Sequence, residues 1–331
     1  MGKNILITGG AGFIGSNFVR MVVGKPDINK IVILDKLTYA GNLDNLEGLL
    51  ENPKVHFIKG DIANAEDVRK AMTDIDWVVN FAAESHVDRS LNDASEFMRT
   101  NIDGVRIMLE IARELKPEKF LHISTDEVYG PVLFGSTDEN SPLRPSSPYS
   151  ASKAAADMLC NAYFVSFGVP VMIARSANNY GPYQYPEKLI PRFVALALKN
   201  EKLPLYGDGK NIRDWLYVED NCRALLLLLR KGTPGEIYNI GATELHRNIE
   251  IAERLLKILG KPSDWITHIK DRLGHDRRYC VDWSKIEKLG WHPQANFDEK
   301  FAETVNWYKE KIAWLEKKSE EAERFYGKNS S

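Results

Sequence analysis

The chain has 331 residues, 44% of them apolar and 27% charged, with a formal net charge of -2. That length accommodates one large α/β domain with an elaboration, or two domains, and so balanced a charge gives no sign of a nucleic-acid or membrane-surface partner. The longest apolar run, residues 224–229, is far too short to span a bilayer.

Strand-like Ile5-Leu6-Ile7 begins almost at once, so no signal peptide is expected. Cys160, Cys222 and Cys280 lie far apart with no C-x-x-C. They predict buried small residues in a reducing, cytoplasmic compartment, with neither a disulfide framework nor a metal site. The first strand leads into Gly9-Gly10-Ala11-Gly12-Phe13-Ile14-Gly15 and then a helical pattern from Ser16. Glycines at this spacing, between a strand and a helix N-terminus, allow a tight turn and a close approach of backbone to a pyrophosphate. Ile31-Val32-Ile33-Leu34-Asp35 is the second strand, and its terminal acid suits adenosine ribose hydroxyls and repels a 2′-phosphate, which favours NAD; the neighbouring Lys36 softens that discrimination.

The third strand, Val55-His56-Phe57-Ile58, is followed by Asp61, placed to accept from an adenine amino group. The fourth, Trp77-Val78-Val79-Asn80, runs into Ala82 and Ala83, small enough for a cofactor to lie on the backbone. His86, just beyond, is either a loop histidine or a substrate contact. One helix is expected over residues 94–115, its apolar face formed by Ile102, Val105, Met108, Leu109 and Ala112.

Phe120-Leu121-His122-Ile123-Ser124 is a buried parallel strand that ends in Thr125-Asp126-Glu127. In open α/β sheets ligands sit at that end of the strands. Residues 130–148 are a loop in which Thr137-Asp138-Glu139-Asn140 reads as a solvated turn. Tyr149 and Lys153 then lie four apart on a helix and face one way. An ammonium beside a phenol favours phenolate, so Lys153 is expected to lower the Tyr149 pKa from about 10 and make it a base. Two adjacent carboxyls resist joint ionisation, so one of Asp126 and Glu127 is expected to stay neutral as an acid.

Residues 170–175 form a sixth strand, after which the alternation of strand and helix breaks down. Residues 176–188 read as loop, followed by a helix at 190–199, a turn at 207–209, a strand at 212–218, a helix at 220–230, a strand at 237–240, a helix at 249–259 and two long terminal helices. The singly spaced cations Lys188, Arg213, Arg277 and Arg278 suit a diphosphate, although each alone also fits ordinary surface ion pairing. The fold class is α/β, a Rossmann-type doubly wound parallel sheet with a smaller substrate lobe. Residues 1–175, with 214–240 returning to them, are expected to bind NAD; 176–213 and 241–331 are expected to form the nucleotide-sugar lobe.

These motifs, together with Asp35-Lys36-Leu37-Thr38, Asn178 to Pro191 and Gly274 to Tyr279, resemble the dTDP-glucose 4,6-dehydratases of the extended short-chain dehydrogenase/reductase family. The resemblance covers nearly the whole chain; Ala177 stands where the family commonly has Ser. It implies a cytoplasmic homodimer acting on dTDP-glucose with NAD. Tyr149 would take the C4 hydroxyl proton with Thr125 holding that hydroxyl, Lys153 would hold the phenol low, Glu127 would take the C5 hydrogen, and Asp126 would protonate the departing C6 hydroxyl. It adds Phe13, Ile14, Leu37, Thr38, Ile62, Ser85, Thr100 and Asn179 to the expected cofactor residues. For the substrate it implies Ser85, His86, Thr125, Asn178, Lys188, Leu189, Arg213, Asn248, Arg278 and Tyr279, with Pro204 and Tyr206 against the base. Spacing does not separate thymine from uracil, so a UDP-glucose 4,6-dehydratase, a nucleotide-sugar 4-epimerase and a catalytically silent NAD-binding scaffold are the alternatives.

Overall fold

A computed structural model describes residues 2–328, with side chains described to residue 322. Twelve strands are labelled in chain order. The first six are β1 (Lys3–Thr8), β2 (Ile28–Asp35), β3 (Val55–Lys59), β4 (Trp77–Asn80), β5 (Lys119–Thr125) and β6 (Val171–Ser176). The others are β7 (Asn178–Tyr180), β8 (Leu203–Tyr206), β9 (Ile212–Tyr217), β10 (Ile237–Ile240), β11 (Leu245–Arg247) and β12 (Ile266–Ile269). Seven form one sheet in the order β10-β6-β5-β4-β1-β2-β3, and every pairing in it is parallel. This is the doubly wound Rossmann arrangement anticipated from the sequence, and the strand order reverses between β1 and β4, where such sheets bind ligands.

Period-2 alternation explains the burial of both sheet faces. Ile5 and Ile7 of β1, Val79 of β4 and Leu121 of β5 pack in one apolar cluster, while Leu6, Val78 and Phe120 pack in another on the opposite face. Each such side chain contributes about 1.5–3 kcal/mol on burial.

The remaining strands build a smaller layer. β7 pairs parallel and β11 antiparallel with β9, and β8 pairs with β12. A separate cluster, including Tyr180, Phe193, Trp215, Leu255, Phe301 and Tyr308, packs this part. β7 lies inside the segment expected to be loop: Asn178-Asn179-Tyr180 has no apolar alternation of its own and is a strand because it pairs with Trp215–Tyr217.

The helix expected over 94–115 is broken into three. Ser95–Phe97 and Val105–Leu115 are α-helical, and Met98–Gly104 between them is a π-helical segment. Asn101 in that segment donates to the Glu84 carbonyl and the Ser152 hydroxyl and accepts from the Glu84 N–H, which ties it to the loop after β4 and to the Tyr149 helix. The turn around Asp138 is also more than a solvated cap: Glu139 Oε1 accepts from Asn239 N, and Thr137 N donates to Cys280 O, so the loop is pinned to β10 and to the chain before Val281. All three cysteines are free and buried, and among the described residues no helix is long and apolar enough to cross a membrane and no cluster of side chains could hold a metal ion.

Candidate active site

β5 delivers its hydroxyl and carboxyls through a tight turn. Thr125 caps Asp126–Tyr129, its Oγ1 accepting from Glu127 N at 3.3 Å. Gly130 ends the turn at φ +73°, and a Cβ there would stand 2.2 Å from the Arg144 carbonyl oxygen, so only glycine lets the chain leave in this direction. The next element, Pro148–Phe167, starts from Ser147, whose Oγ accepts from Ser150 N while Ser150 Oγ accepts from Ser147 N, with Pro148 in the first turn. This capped start fixes the helix phase, and Tyr149, Lys153 and Asp157 form one buried stripe.

Two crevices open at the carboxyl ends of the strands, enclosing about 1260 Å³ and about 980 Å³ of space including their mouths. The larger runs over the glycine loop and is lined by Gly9, Gly12, Phe13, Ile14, Gly15, Asp35, Lys36, Thr38, Asp61, Ile62, Ala82, Ala83, Ser85, Thr100, Tyr149 and Lys153. Gly9 has φ +65°, and a Cβ on it would lie 2.7 Å from Ala82 N, so the loop presents bare backbone to the crevice floor. Asp35 Oδ2 accepts from Ala11 N and Oδ1 from Leu37 N, which brings the carboxylate to the crevice wall with lone pairs still available. Leu37, at φ +55°, closes that turn and is not itself in the wall. Lys36 and Arg99 both pair with Asp61, and with the Ala63 N–H they overcome its burial and hold its carboxyl below the ordinary value. A dinucleotide fits this donor set: bare amides at a helix N-terminus for phosphates, and carboxylates at both far strands for hydroxyl and amino groups.

The second crevice is lined by His86, Asn178, Asn179, Lys188, Leu189, Pro204, Tyr206, Arg213 and Asn248, with Glu127 at its inner end. Gln184, Glu187 and Lys188 belong to both walls, so the two crevices meet there. Besides Leu37, six expected residues fall elsewhere, and two of them, Thr125 and Asp126, line neither crevice. Ser85 lines only the first crevice, and Asn179, expected at the cofactor, lines the second. Tyr279 is buried behind the wall with the Arg213 guanidinium 4.4 Å above its ring, and its hydroxyl donates to Asp276. Arg278 does not reach the pocket: its Nη1 donates to the carbonyls of Val132 and Gly135, and Arg277 pairs with Asp208. Arg272 and His275 take part in the wall instead. Neither was singled out in the sequence, where nothing in spacing distinguishes Arg272 from its neighbours Arg277 and Arg278.

Asp126 is 2% exposed; burial first, then the carboxylates of Glu127 and Asp214, push its carboxyl well above the ordinary range, and its Oδ2 has no hydrogen-bond partner among the described residues. Its surroundings therefore favour the protonated form. His86 is neutral, driven well down by burial and by Lys188 and Arg89. Burial and then the Glu127 carboxylate raise the Tyr149 phenol, whereas the Thr125 hydroxyl, hydrogen-bonded to it, opposes the rise. Burial brings the Lys153 ammonium down to about 8, and Nζ donates to the Ile123 carbonyl at 2.5 Å.

The Tyr149 phenol thus lines the dinucleotide crevice and the Glu127 carboxylate the adjoining pocket with its single cations, while Thr125, hydrogen-bonded to both Tyr149 and Asp126, lies buried behind them with Asp126. A family model described as GDP-mannose 4,6 dehydratase matches residues 6–304. The chain belongs to that family. It is 48% identical to a low-salt glycan biosynthesis protein of Haloferax volcanii over 92% of this chain and 98% of that one. It is 46% identical to a dTDP-glucose 4,6-dehydratase of Streptomyces niveus, with 94% of each covered. The crystal structure of the dTDP-glucose 4,6-dehydratase DesIV of Streptomyces venezuelae, with NAD and TYD bound, superposes with a TM-score of 0.93 at 46% identity, covering 95% of this chain and 99% of that one. The family member described here carries the acidic pair, the phenol and both crevices in one frame.

Proposed function

We propose that this chain is an NAD-dependent dTDP-glucose 4,6-dehydratase, a hydro-lyase that converts dTDP-glucose to dTDP-4-keto-6-deoxyglucose. The observation that carries the reading is the junction of the two crevices, with Tyr149 on the dinucleotide side and Glu127 on the other. NAD, when bound, supplies the acceptor for the C4 hydride and later returns it to C6. Gly9 to Gly15 and Asp35 hold its pyrophosphate and adenosine ribose, with Asp61 and Thr100 along the same wall. Lys188, Arg213, Asn248 and Arg272 bind the substrate's diphosphate, and Pro204 and Tyr206 bind its base.

Tyr149 takes the C4 hydroxyl proton, and Thr125 orients that hydroxyl. A ketone at C4 acidifies C5–H, whose proton Glu127 removes; once hydride has reached C6, a proton returns to C5. Asp126, kept protonated by burial, gives its proton to the C6 hydroxyl so that it leaves as water. The acid role suits Asp126, the more buried of the two carboxyls, whose protonated form burial favours.

The test is turnover on dTDP-glucose and UDP-glucose in parallel. A 4-keto product, seen by its absorbance in alkali, should form with dTDP-glucose. An epimeric sugar without loss of water overturns the reading, and equal turnover on both nucleotides removes thymine specificity.

The protein works as a homodimer in a reducing, cytoplasmic setting, which suits its three free buried cysteines. Met158 (64% exposed), Val165 (72%) and Phe167 (51%) lie on the outer side of the helix that carries Lys153. Arg106, Glu110 and Arg113 on the adjacent helix carry both signs of charge, which a two-fold copy can complement. Met158→Glu with Val165→Glu should give a monomer by sedimentation; an unchanged mass would place the interface elsewhere.

A further inference from the structure

Behind the phenol and the ammonium lies a buried polar chain that the reaction steps above do not use. Asp157 stands one turn beyond Lys153 on the same helix face and is 2% exposed. Its Oδ2 accepts from Arg175 Nε at 2.9 Å. Arg175, itself buried on β6, also donates from Nη1 to the Tyr129 hydroxyl at 2.8 Å, and that hydroxyl donates to Asn239 Oδ1 on β10 at 2.8 Å. The carboxylate is thus anchored from β6 and β10. Its other oxygen, Oδ1, lies 3.9 Å from His122 Nε2, and the Ser124 hydroxyl of β5 also reaches the carboxylate.

A structural ion pair requires only Asp157 and Arg175. What sets this one apart is its place on the Tyr149–Lys153 stripe, in a region dry enough for its charge to be felt along the helix. We propose that Asp157 is a positioning residue for the reaction: its carboxylate, anchored by Arg175, keeps the Lys153 ammonium charged beside the Tyr149 phenol and so sets the upper pH limit of activity. This rests on the assignment of Lys153 to the activation of Tyr149.

The groups facing the pair agree with this. Burial lowers Lys153 to about 8, and the Asp157 charge is the first influence opposing that fall. Burial raises Asp157, and Arg175, the Ser124 hydroxyl and then Lys153 oppose that rise. On the same helix, Cys160 is pushed well up by burial and by Asp157, so it stays a neutral thiol. On β5, His122 is driven well down by burial and by Lys153, so it stays a neutral imidazole. The Tyr129 phenol, raised by burial to about 12, is neutral too. Arg175 is therefore the only other full charge, among the described residues, in direct contact with the Asp157 carboxylate.

The test uses full-length enzyme labelled at the lysine Cε with carbon-13, the Lys153 resonance being assigned by its loss in Lys153→Met. Asp157→Asn should move the Lys153 titration toward acid by about one pH unit or more, and the alkaline limb of kcat for dTDP-glucose should move with it. Asp157→Leu combined with Arg175→Met, which replaces the buried pair by apolar groups of similar size, should do the same and serves if the single variant folds poorly. A Lys153 titration unchanged in both variants overturns the role of Asp157. A titration that moves while the alkaline limb stays in place overturns instead the assignment of Lys153 to Tyr149.

Discussion

In the Glu127→Gln variant, deuterium from solvent should no longer enter C5 of the sugar, and turnover should fall by about 10²- to 10⁴-fold. Glu127 lines the substrate crevice, and its backbone is fixed by the Thr125 hydroxyl. Gln has the same shape and retains hydrogen bonding, so the turn and the pocket are preserved while the base is removed. The change also takes away the carboxylate that helps raise the Tyr149 phenol. Proton removal at C4 is therefore not impaired, and burial, the larger influence on Asp126, still favours its protonated form, so the defect falls at C5. Proton and deuterium NMR of recovered sugar nucleotide measures this directly. Exchange at the wild-type rate would remove Glu127 from the base role.

Asp126→Asn should give the complementary defect. Release of water from C6 should fall by about 10²- to 10⁴-fold, while C5 of recovered substrate still exchanges with solvent, because Glu127 is intact. An amide fits the site but has no acidic proton to give. The same variant carries a stability signature. Burial raises the folded-state pKa of Asp126, so at low pH the carboxyl is neutral in both states and burying it carries no ionisation penalty. As pH rises above about 4, the unfolded carboxyl ionises while the folded one resists, and stability is lost. Asp126→Asn removes that loss. Its melting temperature should exceed the wild-type value at neutral pH, on the order of a few °C, and converge with it below pH 4. A difference independent of pH, or elimination at the wild-type rate, would show that Asp126 is not the buried acid. Together the two variants separate proton removal at C5 from departure of the C6 hydroxyl.

Much of the fold was legible because its central sheet is built from local signals. β1 to β6 are short apolar runs with β-branched residues, bounded by polar turns, and β4 and β10 match their expected bounds residue for residue. The glycine loop was readable because backbone approach and the Gly9 conformation leave few other residues possible there. The shared face of Tyr149 and Lys153 follows from helical geometry alone.

Other features depend on partners distant in the chain. β7 and β11 are strands only because β9 lies between them. The π-helical segment at Met98–Gly104 accompanies the bridging of Asn101 to Glu84 and Ser152, which no local periodicity encodes. The walls of the second crevice were decided the same way. Arg272, Arg277 and Arg278 are near neighbours in the chain, yet one lines the pocket, one pairs with Asp208 and one holds carbonyls of the loop after β5.

By itself, the amino-acid sequence determined the parallel α/β class, the phosphate-cradling loop and the presence of a phenol, an ammonium and two carboxyls near one strand end. These follow from residue type and short-range spacing. Only the tertiary structure decided which carboxyl is buried, which of Arg272, Arg277 and Arg278 lines the second crevice, and that burial raises the Tyr149 phenol. Desolvation and through-space charge depend on every element packed around a group, and those elements come from distant parts of the chain.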